Sequence, residues 1–437
     1  MFVVVLFFGQ RLTCGLWSPR LWLDKLCVNQ VDHSTKKKGI AGLPTIVACS
    51  SELLILGDES YFERLWCNLE LSTFMKCCGV QNLRFVPLWL GPWLLTTMFF
   101  NWLEMQMEAM AITSVPDIGN QGNPHRAKLK TMAFGWQHLW TFVSLTQAVT
   151  IFYFPAAIAS VVTFQHKLDK HKQLLEDLES YDIRSAKCAV EGDRALIEGH
   201  IADLFDGIED PVISVPFVSG ALQTEEPAEL PEALSKEARL AIRYATGYSN
   251  QDCLQFFNDY VRGPLREAVI DQLGHQAELS WSIGVLSFLP STLYGIALAW
   301  MYRFASADLG YASVEHFMIV TAVQQLLFGV VCMPMVHPLL LQLLACLTAC
   351  IGPGFLRSAL AFLLALLAYC LILTAFGLVG GTVECWAMTD QPFFLVIFFV
   401  CLAPLLWLHA FFFRRDWRLP RSSCRRLNGA AAYCELS

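Results

Sequence analysis

Charge is scarce in this sequence. Only 16% of its 437 residues are Asp, Glu, Lys or Arg, where a soluble chain carries roughly a quarter. The net charge of −7 is spread out and no basic tract argues for nucleic acid, so a nucleic-acid partner is not expected. The phosphate-binding patterns GxxxxGK[ST] and GxGxxG are missing, as are GxSxG and HExxH. No paired C-x-x-C occurs. Cys27 with His33, and Cys67 with Cys77 and Cys78, match no common ligand spacing, so no metal is expected. The apolar stretch 1–9 does not read as a cleavable leader, having no positive start, and it is too short to cross a bilayer. A disulfide framework is not expected either. The 16 Cys lie mostly in apolar runs or in segments assigned to the cell interior, and only Cys385 falls in an expected external loop.

Apolar length is what the chain has instead. It is 55% hydrophobic, with 31 Phe and 13 Trp and a mean hydropathy of +0.45. A helix crosses the roughly 30 Å hydrocarbon core with about 20 apolar residues. Segments 139–164, 279–304, 317–347, 356–379 and 392–413 meet that length. Segment 85–103 is weaker, with Pro87 and Pro92 in its first half and Trp89, Trp93 and Trp102 as interfacial anchors. The fold class expected is mainly α, a polytopic helical bundle of about six spans in a lipid bilayer. Arg414, Arg415, Arg418, Arg421, Arg425 and Arg426 follow the last span, so the tail 414–437 is expected in the cytoplasm. The loop 380–391, with Glu384 and Asp390 and no base, is expected outside. Parity then returns the N-terminal segment, with Lys36, Lys37 and Lys38, to the cytoplasm. The loop 104–137 runs against this rule, since it is expected outside yet holds Arg126, Lys128 and Lys130.

Between the second and third spans, residues 165–278 read as a cytosolic helical insert. Leu168, Leu174, Leu175 and Leu178, then Ile197, Ile201, Leu204 and Phe205, have helical spacing. An acidic linker lies near 225–232, and 238–273 reads as helical with a break at Gly263-Pro264. Within 317–347, Pro334 and Pro338 bracket His337. A kinked helix is the first reading, and a broken or re-entrant pair lining an intramembrane site is the other. Gln147, Gln324, Gln325 and Gln342 are the main amides in the spans and read first as contacts between helices. Few ionisable residues fall inside the expected spans, which counts against transport.

Residues 1–80 read differently. Leu21-Trp22-Leu23-Asp24 is a short strand ending in an acid, and Ile40, Leu43, Ile46 and Val47 have helical spacing. The run 52–56 has the look of a strand covered on both faces, and 61–74 is a helix. Alternating strands and helices imply a small parallel sheet. The order LWLDKLCVNQ, a helix ending in Ser-Ser, LLIL, then YFERLWCNLEL resembles the second half of a Toll/interleukin-1 receptor (TIR) domain. In that family a helix with a Trp-Cys-x-x-Glu-Leu signature follows the third strand. Here the signature is Trp66, Cys67, Glu70 and Leu71. LDKLCVNQ is also similar to a signature of heterokaryon-incompatibility domains. The resemblance covers about a sixth of the chain and lacks the family's first strand, so the expected segment is an incomplete one.

The resemblance implies two activities. TIR segments mediate protein interaction, which points to a signalling or scaffold protein with cytosolic partners or self-association. In NAD-cleaving members the Glu of the signature helix is the catalytic carboxylate. That implies Glu70 as catalytic residue, Asp24 as a nucleotide contact and NAD as the cofactor consumed. The structural alternative is that Glu70 caps or decorates a helix while Trp66 and Leu69 pack. Cys77 and Cys78, just before the first expected span, form a candidate acylation site. The competing readings are a transporter or channel built around His337, Pro334 and Pro338, and a membrane-tethered NAD hydrolase.

Overall fold

The computed structural model describes residues 32, 42–57, 60–114, 131–206, 248–274, 278–306, 311 and 313–414. Asp24, the strand expected at 21–24, the acidic linker 225–232, the helix start at 238–247 and the tail from 415 onward lie outside the described residues. The chain divides into two units. One comprises 1–88, 172–272 and 426–437, and the other 89–171 and 273–425.

In chain order, α1 (Leu43–Ala48), β1 (Leu53–Gly57), α2 (Leu65–Cys78) and β2 (Leu83–Pro87) form the first part of unit one. Helix α3 (Leu90–Ser114) opens unit two, followed by α4 (Met132–Val149) and, after a 3-10 turn at Thr150–Tyr153, α5 (Phe154–Glu179). Helices α6 (Arg194–Leu204), α7 (Asn250–Tyr260) and α8 (Arg266–Leu273) belong to unit one. Unit two continues with α9 (Trp281–Tyr302), α10 (Val314–Leu326), α11 (Val336–Cys350), α12 (Phe355–Thr389) and α13 (Pro392–Phe412).

Unit one is built on a parallel β1-α2-β2 motif, with Leu53 opposite Leu83 and Ile55 opposite Phe85. The expected span 85–103 therefore begins too early: residues 85–87 are sheet, and the helix starts at Leu90. Parallel pairing explains the misreading. Such strands carry continuous apolar sequence, which looks like the start of a membrane segment. One face of the sheet is buried through Ile55, Leu83 and Phe85, whereas Leu54 and Leu56 are about half exposed. Coverage on both faces is thus not seen among the described residues. The edge of β2 is held by Gln272, which accepts from the Phe85 amide at 2.9 Å and donates to the Leu83 carbonyl at 2.6 Å. Phe62 stacks on Phe85, and Tyr181 joins Phe62 to Phe257 edge-on. Ile197 and Ile201 of α6 are buried, as their spacing implies. Gly263-Pro264 does not break the helix. The ring removes one N–H and crowds the preceding turn, and a π-turn at Val261–Leu265 absorbs it between α7 and α8.

Among the described residues, five helical runs are long and apolar enough to cross a membrane: Met132–Glu179, Trp281–Tyr302, Val314–Cys350, Phe355–Thr389 and Pro392–Phe412. Their outward faces carry exposed Trp140, Val162, Trp300, Leu363, Phe399 and Trp407. So much exposed apolar surface fits lipid and not water. These helices support an integral membrane protein. The segment expected as a loop at 380–391 is helical as far as Thr389, and only Asp390, with φ 56°, turns the chain. The glycines at 377 and 381 serve close packing. A Cβ at Gly377 or Gly381 would clash with Thr146 or Leu139 of α4, so this G-x-x-x-G face lets α12 lie directly against α4.

Candidate polar interior of the bundle

The bundle's core is mostly apolar, with Phe288, Val336, Leu340, Leu344 and Ala365 fully buried. Helix α3 departs from that pattern. Its large apolar residues Leu95, Phe99, Trp102 and Met107 are exposed, and its buried positions are Trp93, Thr97, Met98, Asn101 and Glu104. Positions 93, 97, 101 and 104, spaced by four, four and three, share one helix face. Beside the buried Trp93 and Met98, the helix therefore turns Thr97, Asn101 and Glu104 inward and much of its apolar surface outward. That explains its weak hydropathy.

Opposite this face runs α9. Asn101 Nδ2 donates to the Ser287 carbonyl at 3.1 Å, and Tyr294 donates its hydroxyl proton to Gln106 Oε1 at 3.0 Å. Ser291 is buried one turn beyond Ser287. From α12, Tyr369 stacks on Tyr153 at 5.1 Å and lies within electrostatic reach of Glu104. Thr97 Oγ1, Asn101 Oδ1 and Ser291 Oγ have no hydrogen-bond partner among the described residues, and the Tyr369 hydroxyl lies within hydrogen-bonding reach of Ser160. Glu104 is 2% exposed. The sequence reading ended the span at Leu103 and placed this carboxylate in a loop; it lies inside the bundle.

The broken-helix residues sit at the far end of the same column. Residues 314–350 form one continuous helical run: α10, a π-turn at Leu327–Cys332, a 3-10 turn at Met333–Met335, then α11. Pro334 has no N–H to offer the Val330 carbonyl, and Trp281 Nε1 donates to it instead at 3.1 Å. His409 Nδ1 meets the next carbonyl, Val331, at 3.0 Å. His337 is fully buried between Trp93, Phe164 and Phe288, with ring centroids 5.0, 5.9 and 5.4 Å away. Neither ring nitrogen has a hydrogen-bond partner among the described residues. Pro338 is buried beside it.

The signature residues of unit one are not gathered into a comparable site. On α2, Leu71 is fully buried, while Trp66, Cys67 and Glu70 are only half-buried. Trp66 therefore packs less than expected, and Leu69 packs as expected at 5% exposure. Asn68, between them, anchors the helix start by donating to the Phe62 carbonyl at 2.8 Å. Glu70 lies within electrostatic reach of the buried Tyr61 hydroxyl. Burial first, then Cys67 and Glu70, hold that hydroxyl well above its ordinary range. Cys78 Sγ donates to the Ala48 and Ser50 carbonyls at 3.5 Å each. Burial pushes the Cys77 thiol up to about 12. No group of three or more His, Cys, Asp or Glu able to hold a metal occurs among the described residues.

Unit two has the makeup of a polytopic helical membrane bundle. No family model, no curated protein and no solved structure matches the chain.

Proposed function

We propose that the bundle is a transporter or channel for a small polar or cationic solute, with Glu104, Asn101 and Ser291 at its interior site. The polar inward face of α3 carries this reading. Ionisable and polar groups inside a membrane bundle are expensive to place there and mark substrate or ion pathways. A buried polar atom without a partner costs about 1–3 kcal/mol, so a run of them fits a path filled by water or solute. The scarcity of intramembrane charge in the sequence spoke against transport; Glu104 removes that objection. On this reading α3 is a sixth span, and both chain ends lie in the cytoplasm by the charge of the flanks. Reconstituted protein should conduct small cations or take them up. Glu104→Gln should cut the rate at least tenfold, and His337→Ala should reduce it. Equal flux in wild type and Glu104→Gln would reject the interior site.

A second reading starts from the β1-α2-β2 motif, a small parallel α/β unit that includes the residues resembling a TIR domain. There unit one is a protein-interaction module, and the whole a membrane-anchored signalling or scaffold protein. Crosslinking of the full chain in its native membrane should then trap a second copy or a soluble partner through unit one. Trapping of neither, with folded protein, would count against it. Catalysis on NAD requires turnover that Glu70→Ala abolishes.

A further inference from the structure

Buried hydroxyls on helices commonly bond back to a carbonyl of their own helix, and many in unit two do. Ser287 donates to Gly284, Thr292 to Phe288, Thr146 to Val143, Thr382 to Val379 and Thr389 to Cys385, at 2.6–3.0 Å. Glu384 of α12 is likewise paired, with Gln324 Nε2 at 2.8 Å and His138 Nε2 at 3.2 Å. Thr97 and Ser291 depart from this habit. Their hydroxyl oxygens are buried and have no hydrogen-bond partner among the described residues, and Asn101 Oδ1 shares that condition. The Asn101 amide nitrogen is committed to the Ser287 carbonyl, which leaves Oδ1 as the open acceptor of the group. The two polar contacts between α3 and α9 also set their register. Asn101 meets Ser287 and Gln106 meets Tyr294, at sequence offsets of 186 and 188. The helices therefore run in the same direction, and the intermediate offset places Glu104 level with Ser291.

We propose that Thr97, Asn101, Glu104 and Ser291 form a binding site for a dehydrated alkali cation, sodium in particular, between α3 and α9. The proposal rests on the transport reading above and names the solute of its interior site. The donor set is oxygen only: two hydroxyls, an amide carbonyl and a carboxylate. Oxygen ligands suit hard cations, whereas softer metals take thiolate or imidazole. Neither α3 nor α9 contains a Lys or Arg, so Glu104 sets the sign of the charge there. One carboxylate among neutral oxygens balances one positive charge. Calcium takes a larger oxygen shell with more carboxylates, and magnesium keeps several of its waters and needs room for them. Protein oxygens that replace the water shell are what let a buried site hold a stripped monovalent ion. Coordination also gives Thr97, Asn101 and Ser291 the partner that the packed helices do not supply. Sodium fits better than potassium because the smaller ion needs fewer oxygens around it.

The test is retention of radioactive sodium by the full chain in detergent micelles, with ionic strength held constant by choline chloride. Wild type should retain sodium saturably, and unlabelled sodium should displace it better than potassium or calcium. Ser291→Ala and Thr97→Val should each weaken retention about tenfold, as the loss of one oxygen ligand implies. Thr382→Val, which removes a hydroxyl already bonded to its own helix, should leave retention unchanged. The wild-type unfolding midpoint should rise with sodium and not with choline, and a cooperative transition in choline chloride shows that each variant is folded. Absence of saturable retention by wild type, equal displacement by calcium, or unchanged retention in both Ser291→Ala and Thr97→Val would each overturn the proposal. If neither variant folds, the order of displacement in wild type decides alone. Saturable sodium binding without flux in vesicles would uphold the site and remove the transport reading. Flux of another solute without sodium binding would overturn the site and leave that reading standing.

Discussion

Asn101 and Glu104 illustrate how position and not residue type decides what a polar group means. At the exposed surface of a soluble helix both would be unremarkable solvated side chains. Here they sit on the buried face of α3, and Leu95 and Phe99 sit on the exposed one. Hydropathy averaged over a window cannot see this, because it discards the direction of each side chain. The polar face was nevertheless legible as spacing, since 93, 97, 101 and 104 fall on one stripe. Glu384 was hidden differently. Its neighbours Gly380 and Gly381 read as a loop, and a carboxylate in a loop needs no partner. Cys77 and Cys78 gain a definite expectation at this scale. Only the thiolate is nucleophilic, and burial holds the Cys77 thiol up near 12. Alkylation of Cys77 at pH 7.5 should be much slower than that of exposed Cys49 and should rise with pH through 10. Peptide mapping after iodoacetamide treatment checks this. Equal rates at both cysteines would contradict the burial of Cys77.

Among the elements, those with strong internal periodicity were legible and those shaped by contact were not. The α6 stripe, the amphipathic continuation of α5 to Glu179 and the five apolar runs follow from spacing and length alone. β2 was not legible, because its apolar end, Phe85, Val86 and Pro87, runs straight into α3 and nothing local marks the change. The same holds for the turn at Leu327–Met335. Pro334 announces a lost hydrogen bond, but only the packed structure shows Trp281 replacing it. Glycine is the element-scale device throughout unit two. A Cβ at Gly329 would overlap Thr292, and one at Gly295 would overlap Gln325. Gly329→Val should force α9 and the π-turn apart, at a cost of about 1–3 kcal/mol. Thermal unfolding should show it as a lowered midpoint, and an unchanged midpoint would mean that the two helices do not pack this closely.

For the whole molecule, apolar composition was enough to expect a membrane protein, since too little charge exists to cover a water-soluble surface of this size. What composition could not supply was the inside. A bundle with lipid-facing Phe and Trp outward and Thr, Asn, Glu and Tyr inward differs from an inert anchor only in where its few polar groups point. The most direct measurement is therefore side-resolved labelling of α3. Cysteines are placed singly at Thr97 and Asn101, and at Leu95 and Phe99, and treated in membranes with a charged, water-soluble thiol reagent, each site being read by peptide mapping. The polar interior predicts labelling at 97 and 101 and protection by lipid at 95 and 99. Labelling at 95 and 99 with protection at 97 and 101 would contradict it and leave the bundle without a path.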